Sequence, residues 1–467
     1  MAERRRPATV DAARLAAYDV LVAVREQDAY ANLALASTLR ERGLGGRDAA
    51  FTTELVSGSI RGQGTYDAVI AACVNRPLAQ VDPGVLDALR LGAHQLLAMR
   101  VPTHAAVSST VELVRSRVGH KPAGFTNAVL RKVAAHDLAG WVRRVAPDPG
   151  TDPVGFAAVA HSHPRWVVEA LRVALGADVD LDGLLAADNA PPKVTLVARP
   201  GLATVEELVS AGGTASTQSP YAVELTAGDP AAVPAVAEGR AGVQDEGSQL
   251  VALALARADV AGRDERWLDL CAGPGGKSAL LAALAAERGA GVLAAERQPH
   301  RAALVRRATA TARTGLTGIV TADGTAPPWA PETFDRVLVD APCSGLGALR
   351  RRPEARWRRT PGDLDALVPL QERLLRSALD GVRRGGVVAY VTCSPVLAET
   401  VEVVGRVLAD RDDVRLEDAA PLFAGVPDLR ADQAPLRGTV QLWPHRHGTD
   451  AMFFALLRKR PAGDSAG

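Results

Sequence analysis

Two short segments, DAPCSG (340–345) and TCS (392–394), each end an apolar run in a cysteine. The runs are RVLVDAP (336–342) and VVAYVTCS (387–394). A lone free cysteine is usually a small buried hydrophobe, and that reading is kept for Cys73. Two cysteines at the ends of neighbouring strands fit packing poorly. A pair explains one reaction well. Carbon 5 of cytosine is too poor a nucleophile to take a methyl group directly. A thiolate added at carbon 6 turns carbon 5 into an enamine carbon, which attacks an electrophilic methyl. A second group must then help remove the carbon-5 proton and release the enzyme. Cys343 and Cys393 supply a pair for these two jobs, and the attacking one needs a locally lowered pKa. Asp340 can hydrogen-bond the ring nitrogen or exocyclic amine of the base and stabilise developing charge. Lys277 would support it electrostatically, although a solvated lysine at a helix start is nearly as common.

The methyl source is expected at WLDLCAGPGGKS (267–278), which runs strand, glycine loop, helix. Glycines let a backbone approach a ligand, and a helix N-terminus offers free N–H groups. The ending GKS resembles a P-loop, but Cys271 stands where that motif needs glycine, and Gly273, Gly275 and Gly276 are wrongly spaced for GxGxxG. A tight turn without a ligand is the bland alternative. The next strand ends in Glu296, which can accept both ribose hydroxyls of a nucleoside. With Asp323 one strand later, the set describes an adenosyl pocket. Without a phosphate-binding pattern, S-adenosylmethionine is favoured over a dinucleotide.

The elements that must hold these residues alternate strand and helix from about residue 241. WLDL (267–270), GVLAAE (291–296), GIVTAD (318–323) and the two cysteine runs predict strands covered on both faces, in a parallel, doubly wound sheet. Ligands sit at the carboxyl ends of such strands, where Asp269, Glu296, Asp323, Asp340 and Cys393 fall. TVQLWP (439–444) and AMFFALLRK (451–459) predict a hairpin on an antiparallel edge. Upstream, RDAAFTTELVSGSIRG (47–62), VLDALRLGAHQLLAM (85–99) and VSSTVELVRSRV (107–118) repeat helical periodicity, with Thr9 or Asp11 capping a first helix. An all-helical bundle is expected over 1–145. A small α/β module is expected over 152–240, after the turn-rich APDPGTDP (146–153), and a catalytic domain over 241–460.

A chain of 467 residues, 47% hydrophobic and 23% charged, is a globular composition of several domains. Its net charge of +1 argues neither for nor against a nucleic-acid partner. Cys73, Cys271, Cys343 and Cys393 match no zinc spacing and no disulfide framework, so a reducing cytoplasm and no metal are expected. The basic start MAERRR resembles a signal peptide, but Asp11, Arg14 and Asp19 interrupt the apolar run that would follow. No membrane span is predicted.

Here the residues resemble a family. DLCAGPGGKS, VQDEGSQL (243–250), DAPCSGLGALRRRPEARW (340–357) and YVTCS (390–394) are similar to the signature blocks of the bacterial 16S ribosomal RNA cytosine-5 methyltransferases of the RsmB (Sun/Fmu) type. RDAAFTTELVSGSIRG, LRLGAHQLLAMRVPTHAAV (89–107) and FTNAVLRKV (125–133) resemble that family's NusB-like RNA-binding domain. The resemblance spans nearly the whole chain. It implies a Rossmann-like class I catalytic domain, with Cys393 as nucleophile and Cys343 assisting product release. It also implies that Cys271, Ala272, Gly273, Pro274, Gly275, Gly276 and Lys277, together with Glu296, Asp323 and Asp340, line the cofactor site. The chain departs from the family after TCS. PVLAETVE (395–402) replaces a common Pro-Glu-Glu-Asn stretch, keeping Glu399 but placing Thr400 where Asn is usual.

RRRPEARWRR (350–359) sets six arginines around one tryptophan. Arg350, Arg351, Arg352, Arg356 and Trp357 are therefore expected to hold phosphates and stack a base, against the alternative of a solvated arginine-rich loop. His445 and His447 are expected to line the same entrance. The expected partner is RNA, 16S above all, and the expected state a monomer. Methylation of transfer RNA, a non-catalytic antitermination factor and a P-loop NTPase are the rival readings. The two aligned cysteines oppose the second, and Cys271 opposes the third.

Overall fold

The computed structural model describes residues 11–176, 180–430 and 433–461. Thr9 and the basic start therefore lie outside the described residues. Asp11 fills the expected cap, its carboxylate accepting the Arg14 N–H at 2.8 Å. The chain divides into two compact units. Among the described residues, the first takes in the chain to Glu169, then Leu181–Asn189 and Leu349–Arg358; the second holds those of Ala170–Asp180, Ala190–Ala348 and the chain from Arg359.

The first unit is helical. Helices Ala12–Glu26, Gly46–Arg61, Pro83–Leu97 and Thr103–Arg117 carry apolar residues at three- and four-residue spacing. Those faces meet in a core of Val20, Leu55, Val56, Leu91, Leu113 and Val114. Asp82 caps Pro83–Leu97 through the Val85 N–H, with proline at the first helical turn where its missing donor is not needed. The sequence pattern located these helices to within a few residues.

The second unit contains two sheets. A small antiparallel sheet has the order β2-β3-β1-β4, from β1 (Val194–Ala198), β2 (Gly213–Ala215), β3 (Ala222–Leu225) and β4 (Ala241–Val243). Of these only β1 was legible in the sequence. The large sheet runs β10-β12-β9-β8-β5-β6-β7, with β11 paired to β12. Its strands are β5 (Arg266–Asp269), β6 (Gly291–Glu296), β7 (Leu316–Thr321), β8 (Phe334–Asp340), β9 (Val382–Thr392), β10 (Val414–Glu417), β11 (Val440–Gln441) and β12 (Phe453–Lys459). β5 to β9 pair in parallel. Alternate residues of β8 and β9 serve different cores. Leu338, Val387, Ala389 and Val391 face helices Glu246–Arg257 and Gly276–Ala286. Val337, Val339, Val388 and Tyr390 face helices Asp363–Gly381 and Val401–Ala409. That double covering is why these strands read as unbroken apolar runs.

The C-terminal hairpin forms, but not at an edge. β12 lies between β9 and β10, antiparallel to both. The edge is β10, whose four residues VRLE are too short and too polar to stand out in sequence.

Candidate active site

The predicted catalytic and cofactor residues of the second unit lie at the carboxyl ends of β5 to β9. After β5 the chain turns through a cis Gly273–Pro274 peptide into helix Gly276–Ala286. Two of the glycines are required by space. Gly275 has φ +112°, and a Cβ there would stand 2.7 Å from Ala308 Cβ. A Cβ on Gly273 would stand 2.2 Å from Glu296 Oε2. That carboxylate accepts the Gly273 N–H at 3.0 Å through Oε2 and the Gln298 N–H at 2.9 Å through Oε1. Glu296 therefore ties β6 to the glycine loop. Arg301 donates to the Gly273 carbonyl at 2.6 Å and closes the turn.

Ala272 is buried, its N–H bonded to Ala295 O at 2.9 Å. Cys271 packs against the core beneath the sheet, and burial pushes its thiol well up. It is a wall of the loop, not a reactive group. Asp269 is buried, accepts the Ser278 hydroxyl at 2.6 Å, and is pushed up to about 7, chiefly by burial. Asp323 is exposed beyond β7. The Thr325 N–H (2.9 Å) and hydroxyl (2.7 Å) hold its carboxyl below the usual range.

Beside this loop lie the two cysteines. β8 and β9 are neighbours, with Asp340 in register with Val391. Cys343 Sγ and Cys393 Sγ stand 3.5 Å apart, both as free thiols. The bond to Cys393 and then burial push the Cys343 thiol well up. Lys277 Nζ donates to Asp340 Oδ2 at 2.8 Å. Burial alone would lower the Lys277 ammonium; the Asp340 charge and hydrogen bond outweigh it and raise it, with Cys393 and Asp269 adding to the attraction. The Lys277 ammonium is thus held at this end of the sheet by Asp340, with the Cys393 charge among the attractions that raise it.

One residue was noticed in the sequence without its purpose. Glu399 is fully buried. Its Oε1 accepts the Ser344 N–H at 2.7 Å and the Gln371 amide at 3.0 Å. Its Oε2 accepts the hydroxyls of Ser344 at 2.5 Å and Ser394 at 2.7 Å. Ser344 follows Cys343 and Ser394 follows Cys393, so one carboxylate fastens both cysteine loops. The sequence signal was a glutamate retained six residues after Cys393 in an otherwise altered stretch. Thr400 bonds the Val396 carbonyl at 2.9 Å and so serves its own turn. Gly347 completes the closure: its N–H bonds Cys393 O at 2.9 Å, and a Cβ there would stand 2.2 Å from Ala451 O.

The arginine run corrects the sequence reading. Leu349–Arg358 belongs to the helical unit. Arg356 is 0% exposed and donates to Ser162 O (3.1 Å), Asn189 Oδ1 (2.7 Å) and Asp188 O (3.2 Å). The Trp357 indole N–H bonds Ile60 O at 2.9 Å, and its ring lies where a Cβ on Gly64 would come within 2.5 Å. Arg350 is buried as well. Arg350 and Arg356 are thus buried within the helical unit and are not offered to RNA, and Trp357, half-buried, has its indole N–H committed there. Buried carbonyls need donors, and arginine supplies them in a fixed fork. Arg351 and Arg352 are exposed, with the Arg352 guanidinium 5.1 Å from the Tyr30 ring centre. His447 does not line an entrance. It is buried, its Nδ1 accepting the Trp443 N–H at 2.7 Å, and burial lowers its pKa. His445 sits half-buried in the same short helix, Pro444–His447, lowered to about 4 chiefly by burial.

A doubly wound sheet with a glycine loop after its first parallel strand and acidic residues at the ends of the next strands is a Rossmann-like methyltransferase domain. The family described as 16S rRNA methyltransferase RsmB/F matches residues 258–458, and the NusB family matches residues 11–135. A "Putative methyltransferase" of Mycobacterium tuberculosis is 53% identical, covering 98% of each chain. The "Probable ribosomal RNA small subunit methyltransferase B" of Bacillus subtilis is 32% identical, covering 95% of this chain and 98% of its own. The crystal structure of PH0851 superposes with a TM-score of 0.78 at 22% identity, over 97% of this chain and 100% of that one, a likeness of fold. The chain belongs to the RsmB/F family of RNA methyltransferases.

Proposed function

We propose that this protein transfers a methyl group from S-adenosylmethionine to carbon 5 of a cytosine in 16S ribosomal RNA, with Cys393 as nucleophile. The observation that carries the reading is the 3.5 Å Cys343–Cys393 pair beside the Lys277–Asp340 ion pair. Glu296 and Asp323 stand at the ends of β6 and β7, where ribose hydroxyls would find acceptors. When bound, the sulfonium supplies an electrophilic methyl group.

The residues of the chain do the rest. Lys277 stabilises the Cys393 thiolate, which adds to carbon 6. Asp340 accepts a hydrogen bond from the exocyclic amine and orients the base, while the Lys277 ammonium paired to it offsets the negative charge that develops on the ring. The electron pair gathered at carbon 5 then takes the methyl. Cys343 holds its proton in the resting site; once Cys393 has spent its charge on the bond to carbon 6, Cys343 gives that proton to solvent, and the resulting thiolate accepts the carbon-5 proton. Electrons return to the ring and the Cys393–carbon bond breaks. Arg351 and Arg352 remain as candidate phosphate contacts of the helical unit. A base paired in a helix would first have to be flipped out.

The test is transfer of labelled methyl from S-adenosylmethionine to free 16S, 23S and transfer RNA. Label on 16S at cytosine, absent with Cys393→Ala, supports the proposal. Cys343→Ala should leave protein trapped on RNA as a denaturant-resistant adduct. Label on transfer RNA with silent 16S overturns the substrate. Normal turnover of Cys343→Ala overturns the two-cysteine scheme.

A further inference from the structure

Gln244 lies in the turn between β4 and helix Glu246–Arg257. Its backbone is committed: its N–H bonds Thr195 O at 3.0 Å, and its carbonyl accepts the Gln249 amide at 3.0 Å. The next residue, Asp245, is committed too, accepting the N–H groups of Gly247 at 3.0 Å and Asp450 at 3.1 Å. The Gln244 side chain is different. It is only 7% exposed, and neither Nε2 nor Oε1 meets a partner among the described residues. Buried side-chain amides seldom go unpaired, because they give up water and receive nothing in return. Here the donor and the acceptor of one amide are both idle.

The amide is aimed at the glycine loop. Gln244 Cδ lies 3.7 Å and Oε1 3.9 Å from where a Cβ would sit on Gly276. Gly276 opens the eleven-residue helix Gly276–Ala286, whose first N–H groups favour an anion. Three features therefore meet at one point: a helix N-terminus, an idle N–H donor and an idle carbonyl acceptor. A single negative group would use the first two and leave Oε1 idle. A carboxylate with an ammonium on the adjacent carbon uses all three. That is the α-amino-acid end of S-adenosylmethionine.

We propose that Gln244 binds the α-amino-acid end of the methyl donor, its Nε2 donating to the carboxylate and its Oε1 accepting from the ammonium. This rests on the S-adenosylmethionine reading above, and calorimetry on the full chain separates the two. Three ligands are titrated: S-adenosylmethionine, S-adenosylhomocysteine and 5′-methylthioadenosine, which keeps the nucleoside and sulfur but lacks the amino-acid end. Gln244→Ala and the similarly sized Gln244→Met should bind the first two about 10- to 100-fold more weakly, as befits lost hydrogen bonds to charged groups. Both should bind 5′-methylthioadenosine as the unmodified protein does, which also shows that the site is still folded. Gln244→Glu keeps acceptors but opposes the carboxylate, and should lose at least as much. Unchanged affinity for S-adenosylmethionine in Gln244→Met, or an equal loss for all three ligands, overturns the role of Gln244. Unmodified protein that takes up none of the three overturns the methyl-donor reading itself.

Discussion

Two segments that follow each other in the chain behave in opposite ways. DAPCSG (340–345) and RRRPEARWRR (350–359) are both rich in reactive or charged side chains. The first sets Cys343 against Cys393 and Asp340 against Lys277. The second turns Arg356 and Trp357 inward, onto backbone carbonyls of the helical unit. The difference teaches that charge or nucleophilicity in a sequence says little about exposure. A cysteine pair at adjacent strand ends has no structural use for its thiols. An arginine has one whenever buried carbonyls need donors.

The comparison breaks most sharply at Cys393. Cys393→Ala should remove methyl transfer to the detection limit while the thermal unfolding curve stays in place. A residual rate comparable with the unmodified protein, followed by label release on RNA, would place the chemistry elsewhere. Arg356→Ala should do the reverse. It removes a buried cation that donates to Ser162 O, Asn189 Oδ1 and Asp188 O, and at roughly 1.5–3 kcal/mol per hydrogen bond to a charged group the unfolding free energy measured in urea should fall by several kcal/mol. The slope of log affinity for RNA against log salt, measured where the variant is still folded, should not change. Glu399→Ala joins the two kinds of residue. It strands the Ser344 N–H, at about 1–3 kcal/mol for a buried group left unpaired, while the Ser344 and Ser394 hydroxyls keep each other at 3.0 Å and the Gln371 amide keeps the Pro342 carbonyl at 2.9 Å. Glu399→Gln should recover much of the stability, and circular dichroism against urea would measure how much.

Asp269 sharpens the comparison from the catalytic side. Its carboxyl is raised to about 7, so the folded chain holds that proton where the unfolded chain has lost it. The stability linked to it is complete below the ordinary carboxylate pKa and is lost as pH climbs through about 7. Relative to Asp269→Asn, the unmodified protein should therefore lose stability between about pH 4 and 7, by at most about 1.4 kcal/mol per pH unit. A constant difference across that range would contradict the burial argument. Arg352→Ala should have the smallest effect. Its side chain is exposed, so stability should change by less than about 0.5 kcal/mol. If it contacts a phosphate, the salt slope of RNA binding should drop by about one.

Much of the site was readable because chemistry restricts it to local patterns. Continuous Val and Leu runs marked β5, β6, β8 and β9, since strands covered on both faces cannot alternate. The glycines of DLCAGPGG stood out because Gly273 and Gly275 have no room for a Cβ. Glu399 was visible only as a letter. Its role needs Ser344, Gln371 and Ser394 together, and nothing local announces that meeting. Three of the four strands of the small sheet escaped because runs of three or four residues carry no period.

The sequence by itself determined which residues can react and at which strand ends they emerge, because side-chain chemistry and hydrophobic period are local properties of the chain. Only the tertiary structure decided which polar groups are exposed. It withdrew Arg350, Arg356 and His447 from any surface role and brought Glu399 under both cysteines. Burial and hydrogen-bond partners are set by segments far apart in the chain, and no window along it contains both sides of such a contact.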